Sequence, residues 1–312
     1  WLNGGNAGGA AQISGVILAL ILCLVAIERL GRRNARFHRP SRAPRPVSAV
    51  TLPGLAGWAA TGLCLIPFAL GFVLPVSVMA SHAIAKPQVW AAPGLGAAAL
   101  NTVVTGGAAA VLTVGAALFL VYGVRMAGRG MARLVLPVTT LGYAAPGAVL
   151  AVGILVPLAA LDHRVADAVL ALTGHDPGLM LTGTSAAIVL AYVVRFFGIG
   201  QGAVDAAFGR ISPSLPMAAR SLGQTAGGAL RRVYLPLMRG SVASALLVVF
   251  VDCVKELPAT LLLRPFNFNT LSTRVYELAS LEQLGEAAPA ALVVVALGLM
   301  AVALLAHGNR DR

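Results

Sequence analysis

Apolar residues in this chain come in long unbroken blocks, not in the alternation of a half-buried strand. Seven blocks stand out, at 10–27, 55–79, 96–124, 132–160, 179–199, 240–262 and 287–306. A helix of about 20 apolar residues crosses a bilayer. Backbone groups must be satisfied within lipid, so only helices or closed barrels span it, and blocks of this length predict helices. Pro67, Pro75, Gly106, Gly107, Pro137, Pro146 and Pro157 fall inside the blocks. They would break soluble helices, whereas membrane bundles use them for kinks and close approach. The predicted fold class is all-α, a polytopic membrane bundle.

Composition agrees. The 312 residues are 58% hydrophobic and 11% charged, with mean hydropathy +0.85. A net charge of +12 raises the question of nucleic acid, and the position of the charges answers it. Arg29, Arg32, Arg33, Arg36, Arg39, Arg42 and Arg45 follow block one. Arg125, Arg129 and Arg133 follow block three; Arg210, Arg220, Arg231, Arg232 and Arg239 follow block five; Arg310 and Arg312 follow block seven. Only Lys86, Arg164, Arg264 and Arg274 fall on the other side, beside Asp162, Asp167, Asp176, Glu277, Glu282 and Glu286. Seventeen against four among the 23 basic residues places the rich side in the cytoplasm, with the C-terminus inside. The basic excess is then juxtamembrane, facing water and the lipid bilayer, and nucleic acid is not expected. Cys23, Cys64 and Cys253 lie in apolar blocks without C-x-x-C spacing, and the five histidines are scattered, so no metal site is expected.

Block one enters from outside and is followed by the Arg- and Pro-rich stretch 29–50. The expected organisation is the last helix of an upstream unit at 1–28, a basic cytoplasmic linker at 29–50, and a six-helix unit at 51–312. The first block lacks a basic leader and makes a poor signal peptide, so the chain is expected to be a piece of something longer.

The longest cytoplasmic loop, 200–239, contains "SPSLPMAARSLGQTAGGALRRVYLPLMRG". Ser214 is a plausible N-cap with Pro216 in the first turn, and Gly223 suits a left-handed helix end. A second short helix is expected from Thr225 to Arg232, with Pro236 preceding the next membrane segment. The stretch resembles the cytoplasmic loop signature of ABC importer permeases, E-A-A-x3-G-x9-I-x-L-P. It reads Met217, Ala218, Ala219, three residues including Arg220, Gly223, nine residues, then Val233, Tyr234, Leu235 and Pro236. Val233 stands for Ile, and Met217 stands where the family has Glu. "KELPATLLLRPFNFNTLSTRVYELAS" from Lys255 is similar to ferric-iron ABC importer permeases, and residues 1–33 resemble the junction helix of that family, whose chains fuse two six-helix halves. The resemblance implies the type I permease fold, an inner-membrane location, and a gated conduit for ferric iron. Its implied partners are an ABC ATPase dimer docked on the 217–236 loop, a periplasmic binding protein, and a first permease half. Another small solute (thiamine, a phosphonate, an oxyanion) is the nearest alternative cargo. A secondary transporter is the alternative mechanism, and it would show paired broken helices in inverted repeats. No G-x-S-x-G favours a membrane hydrolase.

The residues add one independent point. A Walker A loop needs G-K-[ST], yet the only lysines are Lys86 after Ala85 and Lys255 after Val254. The chain is therefore expected to bind no cofactor and to be no enzyme, with ATP and Mg on the partner ATPase. Counted from Gly240 at 1.5 Å per residue, Asp252 stands roughly 18 Å and Glu256 roughly 24 Å into a core about 30 Å thick. Asp252 and Glu256 would share a helix face, and Lys255 can pair with Asp252. Charges at such depth face a bundle interior or an aqueous path. Two readings stay open: Asp252, Lys255 and Glu256 line the pathway, or Asp252–Lys255 is a structural pair and Glu256 bonds a neighbouring helix. Pro258 is expected to break or kink the helix, with the polar "RPFNFNT" loop beginning close by.

The topology is testable. Single cysteines in Arg129→Cys and Arg220→Cys should resist a membrane-impermeant maleimide in intact cells and react after permeabilisation. Labelling from outside reverses the orientation.

Overall fold

The computed structural model describes residues 7–33, 52–127, 129–212 and 214–310. Most of the expected linker, 34–50, lies outside the described residues. Among those described there are helices and no strands. Six helical stretches are long and apolar enough to cross a membrane: Gly54–Ala85, Leu95–Ala127, Gly147–Thr173, Ser185–Gly209, Ala226–Val254 and Leu284–Gly308. A further helix, α1 (Ala7–Arg33), carries the shorter apolar run Gln12–Leu24 and packs on α7 (Gly147–Thr173).

The centre is formed by α4 (Leu95–Ala127), α8 (Ser185–Gly209) and α11 (Leu235–Val254), which pack on one another. The face α4 buries is made of small residues: Ala98, Thr102, Thr105, Ala109, Thr113 and Ala117 recur at helical spacing. Lipid tails are as apolar as leucine, so packing in a membrane is driven by close contact, and small side chains permit it. Thr102 and Thr105 return their hydroxyls to the carbonyls of Ala98 and Asn101, whereas the buried Thr113 hydroxyl has no hydrogen-bond partner. The largest buried side chains, Tyr192 and Ile188, come from α8 and fill the space between these helices.

Two helical runs contain a π turn just before a proline. The first joins α2 (Gly54–Phe68) to α3 (Leu74–Ala85), where Leu74 N–H donates to Ala69 and Pro75 follows. The second joins the short α10 (Ala226–Ala229) to α11, where Leu235 N–H donates to Leu230 and Pro236 follows. A proline ring clashes with the carbonyl four residues back, and a widened turn relieves that clash without ending the helix. The expected short helix at 225–232 therefore continues through Pro236 to Val254, and block six shifts from 240–262 to 226–254. The part of the expected 200–239 loop outside the two long helices shrinks to 210–225, because α8 runs to Gly209 and the next long helix begins at Ala226. Block five likewise moves from 179–199 to 185–209.

Block four, expected as one span at 132–160, is broken. It comprises α5 (Arg129–Thr139), α6 (Leu141–Ala144) and α7, with Ala145 (ψ 136°) and Pro146 (ψ 141°) extended between the last two. The residue before a proline is disfavoured in the helical region, and α7 restarts beyond it.

The two ends of the bundle differ. At the basic end, Arg125 of α4 pairs with Asp205 of α8, Nη2 to Oδ1 2.8 Å. At the opposite end, Asn101 donates to the Asn269 carbonyl, and Leu271 N–H donates to Thr102. These bonds fix α13 (Leu271–Ser280) before the final helix α14 (Leu284–Arg310). Asp162, counted among the solvent-side acids, is fully buried and takes the backbone N–H groups of Met180, Leu181 and Thr182 at 2.9, 2.9 and 2.7 Å.

Asp162→Ala should strand those three N–H groups, because each has lost the acceptor that replaced water. A drop of several degrees in the thermal midpoint in detergent is expected, with Asp162→Asn falling between. An unchanged midpoint for Asp162→Ala would remove this anchor from the account of the fold.

Candidate functional site: a mid-bundle ion pair and a basic-end loop

Arg195 lies ten residues into α8, roughly 15 Å from the Ser185 end of a helix about 37 Å long. Its Nε is 2.9 Å from Glu256 Oε2, and its side chain is 19% exposed against 6% for Glu256. Its Nη1 donates to the Ala145 carbonyl at 2.9 Å. That carbonyl is the one the break between α6 and α7 turns out of helical geometry. Glu256 sits at a second break, between α11 and α12 (Pro258–Leu263). Its Oε1 accepts from Ala259 N–H at 3.1 Å, and its backbone carbonyl accepts from Thr260 Oγ1 at 3.0 Å. Thr260 in turn meets the hydroxyl of Tyr192 at 2.6 Å. Nearly two turns toward the basic end, Thr139 Oγ1 donates to Gln201 Oε1 at 2.6 Å.

The fit around the first break is tight. A Cβ on Gly147 would come within 2.6 Å of Glu256 Oε1 and 3.0 Å of Arg195 Nη1. A Cβ on Gly142 would come within 2.1 Å of the Val194 carbonyl oxygen.

The predicted acidic pair separates in the structure. Asp252 pairs with Lys255, Oδ1 to Nζ 2.6 Å, and Lys255 is 65% exposed. Glu256 does not share a helix face with Asp252, because α11 ends at Val254 and Glu256 N–H closes a tighter turn onto Cys253. Pro258 opens a new short helix, and the polar loop begins only at Arg264. Arg264 bonds Asn269 and Glu277, which themselves bond each other, so the base of that loop is knotted. Arg195 and Gln201 were missed in the sequence. The signal for Arg195 was there, since an arginine inside an apolar block demands a partner.

The basic-end loop contains α9 (Ser214–Ser221), closed by Gly223 at φ +83°. Gly223 N–H donates to Arg220, and Gln224 N–H donates to Ala219. Thr225 then caps α10, its hydroxyl accepting from Gly228 N–H. The loop is tied to the bundle by Tyr122, which donates to the Ala226 carbonyl at 2.6 Å. Tyr122, Phe208 and Tyr234 form a cluster, with centroids 4.9 to 6.0 Å apart. Met217 and Arg220 line a pocket over these rings. Ala218 is exposed and Ala219 half-buried, while Val233, Leu235 and Pro236 belong to the continuous helix below. Among the described residues no group of three or more His, Cys, Asp or Glu is placed to hold a metal ion.

No protein-family model matches the chain. It is 28% identical over 303 residues to the Fe(3+)-transport system permease protein FbpB 2 of Haemophilus influenzae, covering 95% of this chain and 56% of that one. The chain thus spans little more than half the length of that relative. A protein of Haloferax volcanii assigned as a molybdenum ABC transporter permease is 32% identical over 136 residues, 43% of this chain and 49% of its own. PhnV of Salmonella typhimurium, assigned to 2-aminoethylphosphonate transport, is 29% identical over 122 residues, 39% of this chain and 46% of its own. In fold, the chain matches a crystallised bacterial alginate ABC transporter with its periplasmic protein, at TM-score 0.62 and 16% identity, over 81% of this chain and 92% of that one. Over nearly its whole length the chain is similar to an ABC transporter permease, in sequence and in fold. Its six apolar helical stretches and the additional α1 match the expected all-α polytopic class.

The packing of the bundle around the first break is testable by a matched pair. Gly142→Ala drives a methyl into a backbone carbonyl, whereas Gly153→Ala meets nothing within 4 Å. The first should cost about 1–3 kcal/mol by overpacking, and the second should be neutral or slightly stabilising. Equal thermal midpoints in detergent would mean that α6 does not seat against α8 as described.

Proposed function

We propose that this permease is the membrane subunit of an ATP-driven importer whose cargo is ferric iron handed over by a periplasmic binding protein. The observation that carries the cargo is the reach of the similarity. The ferric-transport relative aligns over 95% of this chain, against 43% and 39% for the molybdenum and phosphonate relatives. Those two keep an oxyanion or phosphonate cargo as the second reading. Because this chain spans 56% of the ferric relative, the proposal includes a first permease half completing the pore, with residues 1–28 as its last helix. The inner membrane is the proposed location, with the basic end and the C-terminus in the cytoplasm.

Hydrolysis belongs to a separate ATPase pair carrying ATP and Mg. Its docking element is the loop Met217, Ala218, Ala219, Arg220 and Gly223, with Val233, Leu235 and Pro236 anchoring it. Several features support that role. The loop has ordered helices on both sides of a left-handed glycine. It sits on the end where Arg125, Arg210 and Arg220 gather. Tyr122 and the aromatic cluster join it to α4 and α8, so a push on the loop reaches the bundle core. Met217, where the family has Glu, lies beside Arg220 on the pocket wall, so Arg220 is the charged group presented to the partner. Asp252, Lys255 and Glu256 remain the proposed pathway group, with Lys255 the member most open to solvent.

The test is uptake by the full protein reconstituted with its ATPase, binding protein and any first half. Radiolabelled ferric iron should accumulate with ATP, and molybdate and 2-aminoethylphosphonate should not. Accumulation of either oxyanion in place of iron overturns the cargo. Gly223→Val forces a β-branched residue into a left-handed backbone, at a cost of about 1–2 kcal/mol or more. It should abolish uptake and weaken ATPase co-purification while the bundle still inserts. Normal uptake with the ATPase bound would remove the docking assignment.

A further inference from the structure

Two chain breaks meet at one guanidinium. Arg195 stands on the uninterrupted helix α8, bonds the carbonyl freed at the α6–α7 break, and pairs with the carboxylate at the α11–α12 break. Each break divides a helical path inside the bundle, so each is a place where one part can tilt against the rest. A buried ion pair is weak evidence for stability, since an apolar pair of similar volume often does as well. A role as a switch accounts for it better.

We propose that Arg195 is a positioning residue for translocation. With Glu256 it latches both breaks in register, and the pair must part when the pathway opens. This rests on the ATP-driven importer reading. Gly147 belongs to the device, because any side chain there would wedge against both Arg195 and Glu256. So does Ala259, whose N–H holds the second carboxylate oxygen and aims the first at Arg195. Cys253 reports on it: this thiol is 2% exposed and lies one turn before Glu256 on α11.

The experiment uses the full chain in membrane vesicles, with Cys23→Ser and Cys64→Ser leaving Cys253 as its one thiol. Glu256→Gln keeps the shape and the bond from Ala259 but removes the charge. Arg195→Lys keeps the charge but offers one nitrogen where arginine uses two. Both should raise the rate of Cys253 modification by a small soluble maleimide by about tenfold, as a shifted two-state equilibrium requires. In the complex with ATPase and binding protein, both should make ATP hydrolysis largely independent of the binding protein, and Arg195→Lys, which strands no charge, should keep a thermal midpoint near that of the unsubstituted protein.

Unchanged labelling and intact binding-protein dependence in both variants overturn the latch. So does a collapse in thermal midpoint or monodispersity in both, which would make the pair a structural element only. Failure of the importer reading looks different: the unsubstituted protein would then accumulate no cargo with ATP, while the labelling result, which needs no cargo, would still decide the latch.

Discussion

A carbonyl that leaves its helix inside a hydrocarbon layer has no water to turn to. This constraint organises the middle of the bundle. Ala145 is extended because Pro146 follows it, and its oxygen can no longer serve the helix. Arg195 answers from the neighbouring helix. A guanidinium brought in for that purpose is itself a buried charge, and it needs a carboxylate. Glu256 supplies one only because α11 stops at Val254 and leaves the chain free to turn toward α8. Breaking block four and ending α11 early are therefore coupled consequences of the same requirement. The glycines at 142 and 147 follow from it too, since α6 and α7 must lie close enough for the guanidinium to reach.

The same helix connects this cluster to the basic end. Arg195 and Phe208 both belong to α8, and Phe208 stacks with Tyr122 under the loop that carries Gly223. Asp205, also on α8, is held by Arg125 of α4. A force applied to the loop would thus arrive on α4 and α8 together, and α8 would carry it to the two breaks. Rigid helices with a few fixed polar joints are a physical basis for coupling over such a distance, provided that one joint has two arrangements.

Much of the architecture was legible in the chain. Block length marked the helices to within several residues, and Gly223 was readable as a helix end because only glycine takes a left-handed backbone without strain. The failures have common physical causes. Hydropathy is blind to a break within an apolar run, so block four, 132–160, read as continuous although its backbone leaves the helix at Ala145. Pro236 read as lying between a short helix and the next membrane segment, yet the π turn at Leu230–Tyr234 makes room for the proline within one continuous helix. The mid-bundle site was half visible. Glu256 announced itself beside Lys255, and its ion pair reaches a neighbouring helix. Its partner went unnoticed because Arg195, sixty-one positions earlier, belonged to no basic cluster.

That separation in sequence also limits what the local motif means. "KELP" looks like one charged group, but its members act in different directions. Lys255 and Asp252 close a local pair at a solvent-accessible edge, where an exposed ion pair contributes little, about 0–1 kcal/mol. Glu256 turns inward to a partner far along the chain, where removing one charge would strand the other at several times that cost, about 3–5 kcal/mol. The proline assigns these roles. By ending α11 it rotates Glu256 off the face it would share with Asp252, and by starting α12 it presents the Ala259 N–H that holds the carboxylate in place. The charged pair at the end of an apolar run is thus two interactions divided by a helix end, and only the inward one joins the two chain breaks.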